Sequence, residues 1–583
     1  MFDPVTEDLI RTAPALPDFD LAHLPQQLTD AHVKIASLRI LLLAEGAQHR
    51  GELFEELGTL QRLANYYQSF VATLTDHPQE AAAAFVAASA HELLHRARIN
   101  LGTAASRPSL TDHAVESDLA SVLLYLIAGY PSSAHEMAAT INTSLLDEPR
   151  QSLVTTILAI ARGRLLEVAD VPAEVDQHTE VDFDKLAVEL LWRRLGAGCL
   201  SLARGLRGIS GGFEESRRAI QEVLKLSSYS IRELLSEANI DSTGSAVSCF
   251  SGPHQMASLL RDLCDELERR AVVTIGVPAG LSSRHWHDAL VSLAERRPYL
   301  WRNHRQAVDD GFLSPGNSSV IAFPTGAGKT TLAELKCIST RLCGRKVLYL
   351  APTHALVNQV TKDLRSSFST ENIGNSLIAE GHYSETEEAS LPDIAIMTPE
   401  RCLALQGFAA SAFEAVGLIV FDECHLLHPK EKGNDRRSLD AMLCLLGLMT
   451  HSRDADFVLL SAMISNSSDL AAWIASETGR ICLPMELDWK PTRQARGCVV
   501  YKKEDSSNLK GRIQASLQTT TTKGPPTLLK KNLQINPFAF FSLRQAWTTQ
   551  ESRDYSLLPI TTHEVPLSAA GNRPWWKLCS ASR

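Results

Sequence analysis

The sequence predicts two folds in succession: a large all-α domain, then an α/β domain built on a parallel sheet. Three observations carry this. From about residue 20 to about 275 the chain is rich in Leu and Ala, and apolar residues return every three or four positions, as in Phe183, Leu186, Leu190, Leu191 and Leu195. That spacing draws one apolar stripe along a helix, which must be buried against other helices. After Pro298, short apolar runs alternate with helical stretches: 319–323, 346–350, 393–397, 417–421 and 456–460. Runs of about five apolar residues between helices are what a parallel sheet covered on both faces requires. Finally, 583 residues exceed what one hydrophobic core organises, so several domains are expected.

The expected boundaries are a helical domain over 1–285, an α/β domain over 286–485 and a basic extension over 486–583. Breaks such as Gly129-Tyr130-Pro131 and the stretch from Gly208 to Gly212 separate the helices. No fixed period recurs, so the helical part reads as a bundle or an irregular solenoid, either purely structural or docking a protein partner. The last 98 residues carry 15 Lys and Arg against 7 Asp and Glu, whereas the whole chain has a formal charge of −10. Such a balance excludes a protein that coats nucleic acid by charge alone, but not a local basic groove. Lys502, Lys503, Lys530 and Lys531, with Trp547, Trp575 and Trp576, give the extension the means to touch nucleic acid. The other reading of this stretch is a solvated leftover of an insertion.

Eleven cysteines without a CxxC pair or a Cys/His ligand spacing argue against a zinc site and a disulfide framework. The first residues lack the basic and apolar blocks of a signal peptide, and no stretch has the roughly 18 apolar residues of a spanning helix. A cytoplasmic protein is expected.

Two segments carry chemistry. The run 319–323 leads into Pro324-Thr325-Gly326-Ala327-Gly328-Lys329-Thr330-Thr331 and then a helical stretch. A glycine-rich turn between strand and helix lets backbone N–H groups face phosphate oxygens, aided by the helix dipole. Lys329 suits the β- and γ-phosphates, and the Thr330 hydroxyl suits Mg²⁺. Phe323 stands where the full pattern has a further glycine, so the match is to a looser form of the loop. The second segment is Gly417 to Phe421 followed by Asp422-Glu423-Cys424-His425, 93 residues beyond Lys329. An acid at a strand's end reaches the metal beside a phosphate loop, which suits Asp422, and Glu423 suits activation of the attacking water. Taken alone, an acidic pair there equally suits capping the next helix.

Together these segments resemble the first motor domain of a superfamily 2 helicase of the DExH-box group, a RecA-like P-loop fold. Further motifs follow in the family's order. Gln306, 23 residues before Lys329, resembles the glutamine that reads the adenine edge. Pro352-Thr353 and Thr398-Pro399-Glu400-Arg401 resemble motifs that grip a nucleic-acid backbone, and Ser461-Ala462-Met463 resembles the Ser-Ala-Thr coupling motif with Met463 in place of its threonine. His425 resembles a histidine of the same coupling network, with a locally satisfied histidine as the alternative. Cys424 reads as a small buried residue, with no base placed to activate it.

The resemblance implies ATP and Mg²⁺ as cofactors, contacts to single-stranded DNA or RNA, and helicase or translocase activity. A regulatory ATP-binding scaffold whose helical domain recruits a partner is the competing reading. Such helicases carry a second motor domain, and the 122 residues after Ser461 show no strand–helix series ending in the arginine motif that completes the site. Pro491 to Gly497 resembles a connector leaving the first motor domain. The expectation is either a truncated frame or a half-motor completed by another polypeptide, with hydrolysis about 10³- to 10⁵-fold slower when that arginine is missing.

Overall fold

The computed structural model describes residues 23–43, 47–73, 79–102, 108–168, 183–230, 246–248, 250–324, 326–368, 373–374, 391–427, 436–462, 464, 466–486, 497–500, 502–504, 507–508, 511, 534–535, 539–543, 555–559 and 565–566. They fall into two compact units. One comprises Met1–Ser109, Glu116–Ala128 and Arg493–Arg583, the other Leu110–Val115 and Gly129–Thr492. The part of the expected helical domain from Gly129 onward thus belongs to the same unit as the α/β sheet.

The first unit is built on α1 (Leu24–Leu43), α2 (Ala47–Thr73), α3 (Glu80–Asn100) and α4 (Ser117–Ile127). Every residue of α4 is buried, and α3 presents Ala83, Ala84, Ala87, Ala88 and Ala90 to the interior, where small side chains let helices approach closely. Burying Glu92 on α3 requires partners: Arg39 at 3.1 Å, Arg96 at 3.0 Å and the Tyr125 hydroxyl at 2.5 Å surround its carboxylate. In the C-terminal segment, Gly497–Val500, Ala539–Leu543 and Tyr555–Pro559 pair as an antiparallel ladder.

The second unit begins with α5 (Pro131–Ala138), α6 (Arg150–Arg162), α7 (Phe183–Leu206), α8 (Gly212–Leu226) and α9 (Ser251–Arg270). Gly205 on α7 lies so close to Gly212 that a Cβ on Gly212 would meet the Gly205 nitrogen at 2.4 Å, so glycine is needed where α7 and α8 touch. Then come α10 (Ser283–Ala294) and α11 (Arg302–Asp309), followed by the α/β layer.

That layer holds β1 (Asn317–Ala322), β2 (Lys346–Leu350), β3 (Ile373–Gly374), β4 (Ile394–Met397), β5 (Val416–Asp422), β6 (Asp456–Leu460) and β7 (Ile481–Glu486). They form one sheet in the order β3-β4-β2-β5-β6-β1-β7, every adjacent pair parallel. The connecting helices are α12 (Lys329–Leu342), α13 (His354–Ser367), α14 (Pro399–Phe408), α15 (Arg436–His451) and α16 (Ser467–Thr478).

Alternation along each strand supplies two cores. In β2, Val347 and Tyr349 join Leu332, Leu335 and Val357 on one face, whereas Leu348 and Leu350 join Phe421, Ala441 and Leu445 on the other. Both faces being covered, the strands read as unbroken apolar runs. The result is the expected RecA-like domain following an α-helical region.

At the strands' N-terminal edge, Lys336 of α12 is fully buried. Its ammonium meets Asp456 at 3.0 Å and donates to the carbonyls of Phe312, Ser314 and Asn317. Burial lowers its pKa from the usual lysine value, and Asp456 opposes the shift. Arg480 adds a second cation to Asp456 at 2.8 Å, so the base of the sheet is tied by a buried, hydrogen-bonded cluster. The opposite edge, at the strands' C-terminal ends, carries the glycine-rich loop, the Asp422-Glu423 pair, Thr353, Thr398 and Ser461.

Candidate functional site

The strand order sets the site. β1, β6, β5, β2 and β4 are successive neighbours, and from their C-terminal ends leave in turn the glycine-rich loop, Ser461, the Asp422-Glu423 pair, Thr353 and Thr398. In open parallel sheets this edge is where ligands bind.

The loop leaves β1 at Phe323 and ends at Gly328, the residue capping α12. Gly326 and Gly328 have φ of +81° and +74°, a region in which a side chain is strained. A Cβ on Gly328 would also meet His304 Nε2 at 2.4 Å. The turn is closed by Ala327 N–H donating to the Pro324 carbonyl at 3.1 Å, and α12 starts with Thr331 N–H on the Gly328 carbonyl at 2.9 Å. Lys329 donates to the Phe323 carbonyl at 3.1 Å. Burial lowers the pKa of its ammonium, and the charges of Glu423 and Asp422 oppose the shift. Residues 93 positions apart are thereby placed within electrostatic reach. The Thr330 side chain is exposed. Thr325 and Met463 lie outside the described residues, as do Lys530, Lys531, Trp547, Trp575 and Trp576.

Asp422 ends β5. Its Oδ2 accepts from the Tyr349 hydroxyl at 3.1 Å and its Oδ1 from the Glu423 N–H at 2.9 Å. Burial, and secondarily the Glu423 charge, raise its carboxyl pKa above the ordinary value. The acid therefore holds a proton to higher pH than a free carboxyl, and a divalent cation binding there would displace it. One lone pair on each oxygen is left over, enough for a metal ligand. Among the described residues no group of three or more His, Cys, Asp or Glu gathers to hold a metal.

Glu423 has φ +53°, the left-handed region, and is the non-glycine residue there among those described. Such strain persists only where surrounding contacts over-determine it. Its Oε2 lies 3.1 Å from His425 Nδ1, which lies 3.3 Å from the Ser461 hydroxyl. Ser461 is buried, and its N–H donates to the Ile321 carbonyl of β1 at 3.0 Å. A polar chain thus runs from the acid at β5 through β6 to the strand bearing the phosphate loop. Cys424 is buried and its thiol pKa is pushed up by burial, in keeping with a packing role.

Thr353 and Thr398 serve as caps. The Thr353 hydroxyl accepts from the Leu356 N–H at 3.3 Å, and the Thr398 hydroxyl from the Arg401 N–H at 3.4 Å, with Pro399 at the first helical position. Pro352 is buried, whereas Arg401 is exposed. Two helix N-termini therefore stand side by side, on α13 and α14. Arg437 bridges them, donating to the Pro352 carbonyl at 2.6 Å and to Glu400 at 3.2 Å. Nothing in the sequence marked Arg437.

Gln306 lies exposed on α11. Two residues that motif reading missed do more on the described face of that helix. Asn303 Nδ2 donates to the Ala327 carbonyl at 2.9 Å, and His304 Nε2 lies 3.0 Å from the same oxygen. The His304 ring stacks on Trp301 at 5.3 Å, and burial lowers its pKa to about 4, so it is a neutral donor at physiological pH. The available signal was that 303 and 304 share the buried face with Ala307.

The DEAD/DEAH box helicase family pattern matches residues 302–470, from the first residue of α11 into α16. Residues 302–470 are a DEAD/DEAH box helicase domain of the kind that forms the first motor domain of superfamily 2 DExH-type helicases. The motor domain is similar to the ATP-dependent DNA helicase Hel308 of Methanocaldococcus jannaschii, with 26% identity over 36% of this chain and 17% of that protein. The DExH-box ATP-dependent RNA helicase DExH15, chloroplastic, of Arabidopsis thaliana is 31% identical over 35% of this chain and 17% of its own length. The chain thus spans 17% of each of these relatives. A solved structure of the DUF1998 helicase MrfA bound to DNA and AMPPNP overlaps 36% of this chain and 30% of its own at 22% identity, with a TM-score of 0.26.

Proposed function

We propose that the motor domain binds Mg·ATP between the phosphate loop and the Asp422-Glu423 pair and couples it to movement along a single strand of DNA or RNA. The observation that carries this reading is that Lys329 feels the charges of Glu423 and Asp422, on the C-terminal ends of two strands separated only by β6. Lys329 and the N–H groups from Gly326 to Thr331 hold phosphates. Asp422 and Thr330 hold Mg²⁺, which when bound neutralises phosphate charge. Glu423 takes the proton of the attacking water, Gln306 faces the adenine, and His425 with Ser461 passes the state of the site toward β1. The starts of α13 and α14, with Thr353, Thr398 and Arg401, hold strand phosphates, which gives contact without base reading. One similar relative is named a DNA helicase and another an RNA helicase, so either nucleic acid suits this surface.

The domain organisation we favour is a helical region to residue 285, the motor domain over 286–485 and a basic extension beyond. A second motor half, from the same or another polypeptide, closes the nucleotide site. A cytoplasmic setting accords with the free thiols of the described cysteines.

The test is ATP turnover by the full chain with and without single-stranded oligonucleotides. Turnover that rises with added strand, and vanishes in Lys329→Ala, is the expected result. Nucleotide binding with turnover indifferent to any strand would overturn the motor reading and leave an ATP-binding scaffold.

A further inference from the structure

The segment between α10 and α11 is gripped from two sides. On one side lies the helical region of the same unit. Leu300 N–H donates to the Arg270 carbonyl at 2.7 Å, and Val272 N–H to the Pro298 carbonyl at 3.1 Å, a short backbone ladder at the end of α9. Arg302, at the start of α11, meets Glu266 of α9 at 2.9 Å, and its side chain crosses Gly129, where a Cβ would approach Arg302 Nε to 2.9 Å. The Tyr299 hydroxyl donates to the Ile160 carbonyl of α6 at 3.1 Å. Glu266 is almost fully buried and also meets Arg270, so this is an ion-pair cluster held in one arrangement.

On the other side, one and two residues beyond Arg302, Asn303 and His304 hold the Ala327 carbonyl of the phosphate loop. Asn303 Oδ1 is buried without a hydrogen-bond partner, an acceptor that a loop N–H would satisfy if the loop reshaped around phosphate. α11 is only eight residues long, so a shift at its first turn is carried directly to the loop.

We propose that Asn303 and His304 are positioning residues for the phosphate loop, and that the seam of Glu266, Tyr299 and Arg302 makes the loop's geometry depend on the helical region. Displacing α9 or α6 then changes nucleotide affinity without touching a residue that meets nucleotide. The inference rests on the loop binding nucleotide as set out above.

The test uses the full chain, a fluorescent ADP analogue with Mg²⁺, and hydrogen exchange followed by mass spectrometry. His304→Phe keeps a ring against Trp301 but loses the donor, and should weaken Mg·ADP binding about five- to twentyfold. His304→Gln, which restores an N–H, should recover much of the loss. Glu266→Gln and Tyr299→Phe are mild enough to fold, and each should raise amide exchange in the peptide spanning residues 324–331 and weaken Mg·ADP by about three- to tenfold. A role confined to local packing would raise exchange only in peptides around 263–302. If wild type binds Mg·ADP but Glu266→Gln and Tyr299→Phe leave both loop exchange and affinity unchanged, the coupling is refuted. If wild type binds no Mg·ADP at all, the nucleotide reading itself fails, and this inference with it.

Discussion

Lys329→Ala should weaken binding of a Mg·ATP analogue by about 100-fold or more, close to 2.7 kcal/mol. The ammonium sits where burial disfavours its charge, opposed by Asp422 and Glu423. A triphosphate entering the loop would bring a stronger partner than the Phe323 carbonyl that Lys329 now engages. Each charge-assisted hydrogen bond of this kind contributes about 1.5–3 kcal/mol. Without the lysine, Mg²⁺ alone would offset the two carboxylates that the phosphates face. Because burial works against this ammonium in the folded state, relief of its charge should offset part of the stability lost with its contacts in the nucleotide-free protein. Calorimetric titration of both proteins, with unfolding midpoints measured alongside, separates lost binding from lost folding. Equal affinity in wild type and variant would remove Lys329 from the site.

Glu423→Gln should slow ATP turnover by about 10²- to 10⁴-fold while leaving nucleotide affinity within about threefold. Glutamine preserves shape and retains an oxygen for His425 but cannot accept the proton of the attacking water. The backbone argues for chemistry over capping. Glu423 is held at φ +53°, where a helix-capping acid has no need to be, and its carboxylate is steered toward His425 and Ser461. Single-turnover hydrolysis under the strand-stimulated conditions gives the rate. A variant that turns over as fast as wild type would assign the proton transfer elsewhere.

Much of the motor domain was legible from residue pattern, and the exceptions have physical causes. β2 and β6 match the apolar runs 346–350 and 456–460, because strands buried on both faces leave an unbroken signature. β7 left none. It is an edge strand interrupted by Pro484 and ending on an exposed glutamate, so burial wrote no pattern into it. β3 is two residues long, below what any periodicity detects. The meeting of Lys329 with the acid pair was foreseeable from spacing and motif. Asn303 and His304 were not, because their partner is a backbone oxygen more than twenty residues away, and a backbone acceptor has no sequence identity. Arg437 was hidden for the same reason, since one of its two partners is the Pro352 carbonyl.

The same limit explains why the ties between α9 and α11 went unseen. Glu266, Arg270 and Arg302 read singly as ordinary solvated charges on helices, and only the fold shows Glu266 and Arg270 buried and facing each other.

A crystal structure of the full chain grown with Mg·AMPPNP tests the central claim most directly. The account predicts β- and γ-phosphates enclosed by the N–H groups from Gly326 to Thr331, Lys329 withdrawn from the Phe323 carbonyl onto them, and a metal ion between the Thr330 hydroxyl and Asp422. Nucleotide bound elsewhere, or a loop left empty at saturating concentration with Lys329 still on Phe323, would contradict it.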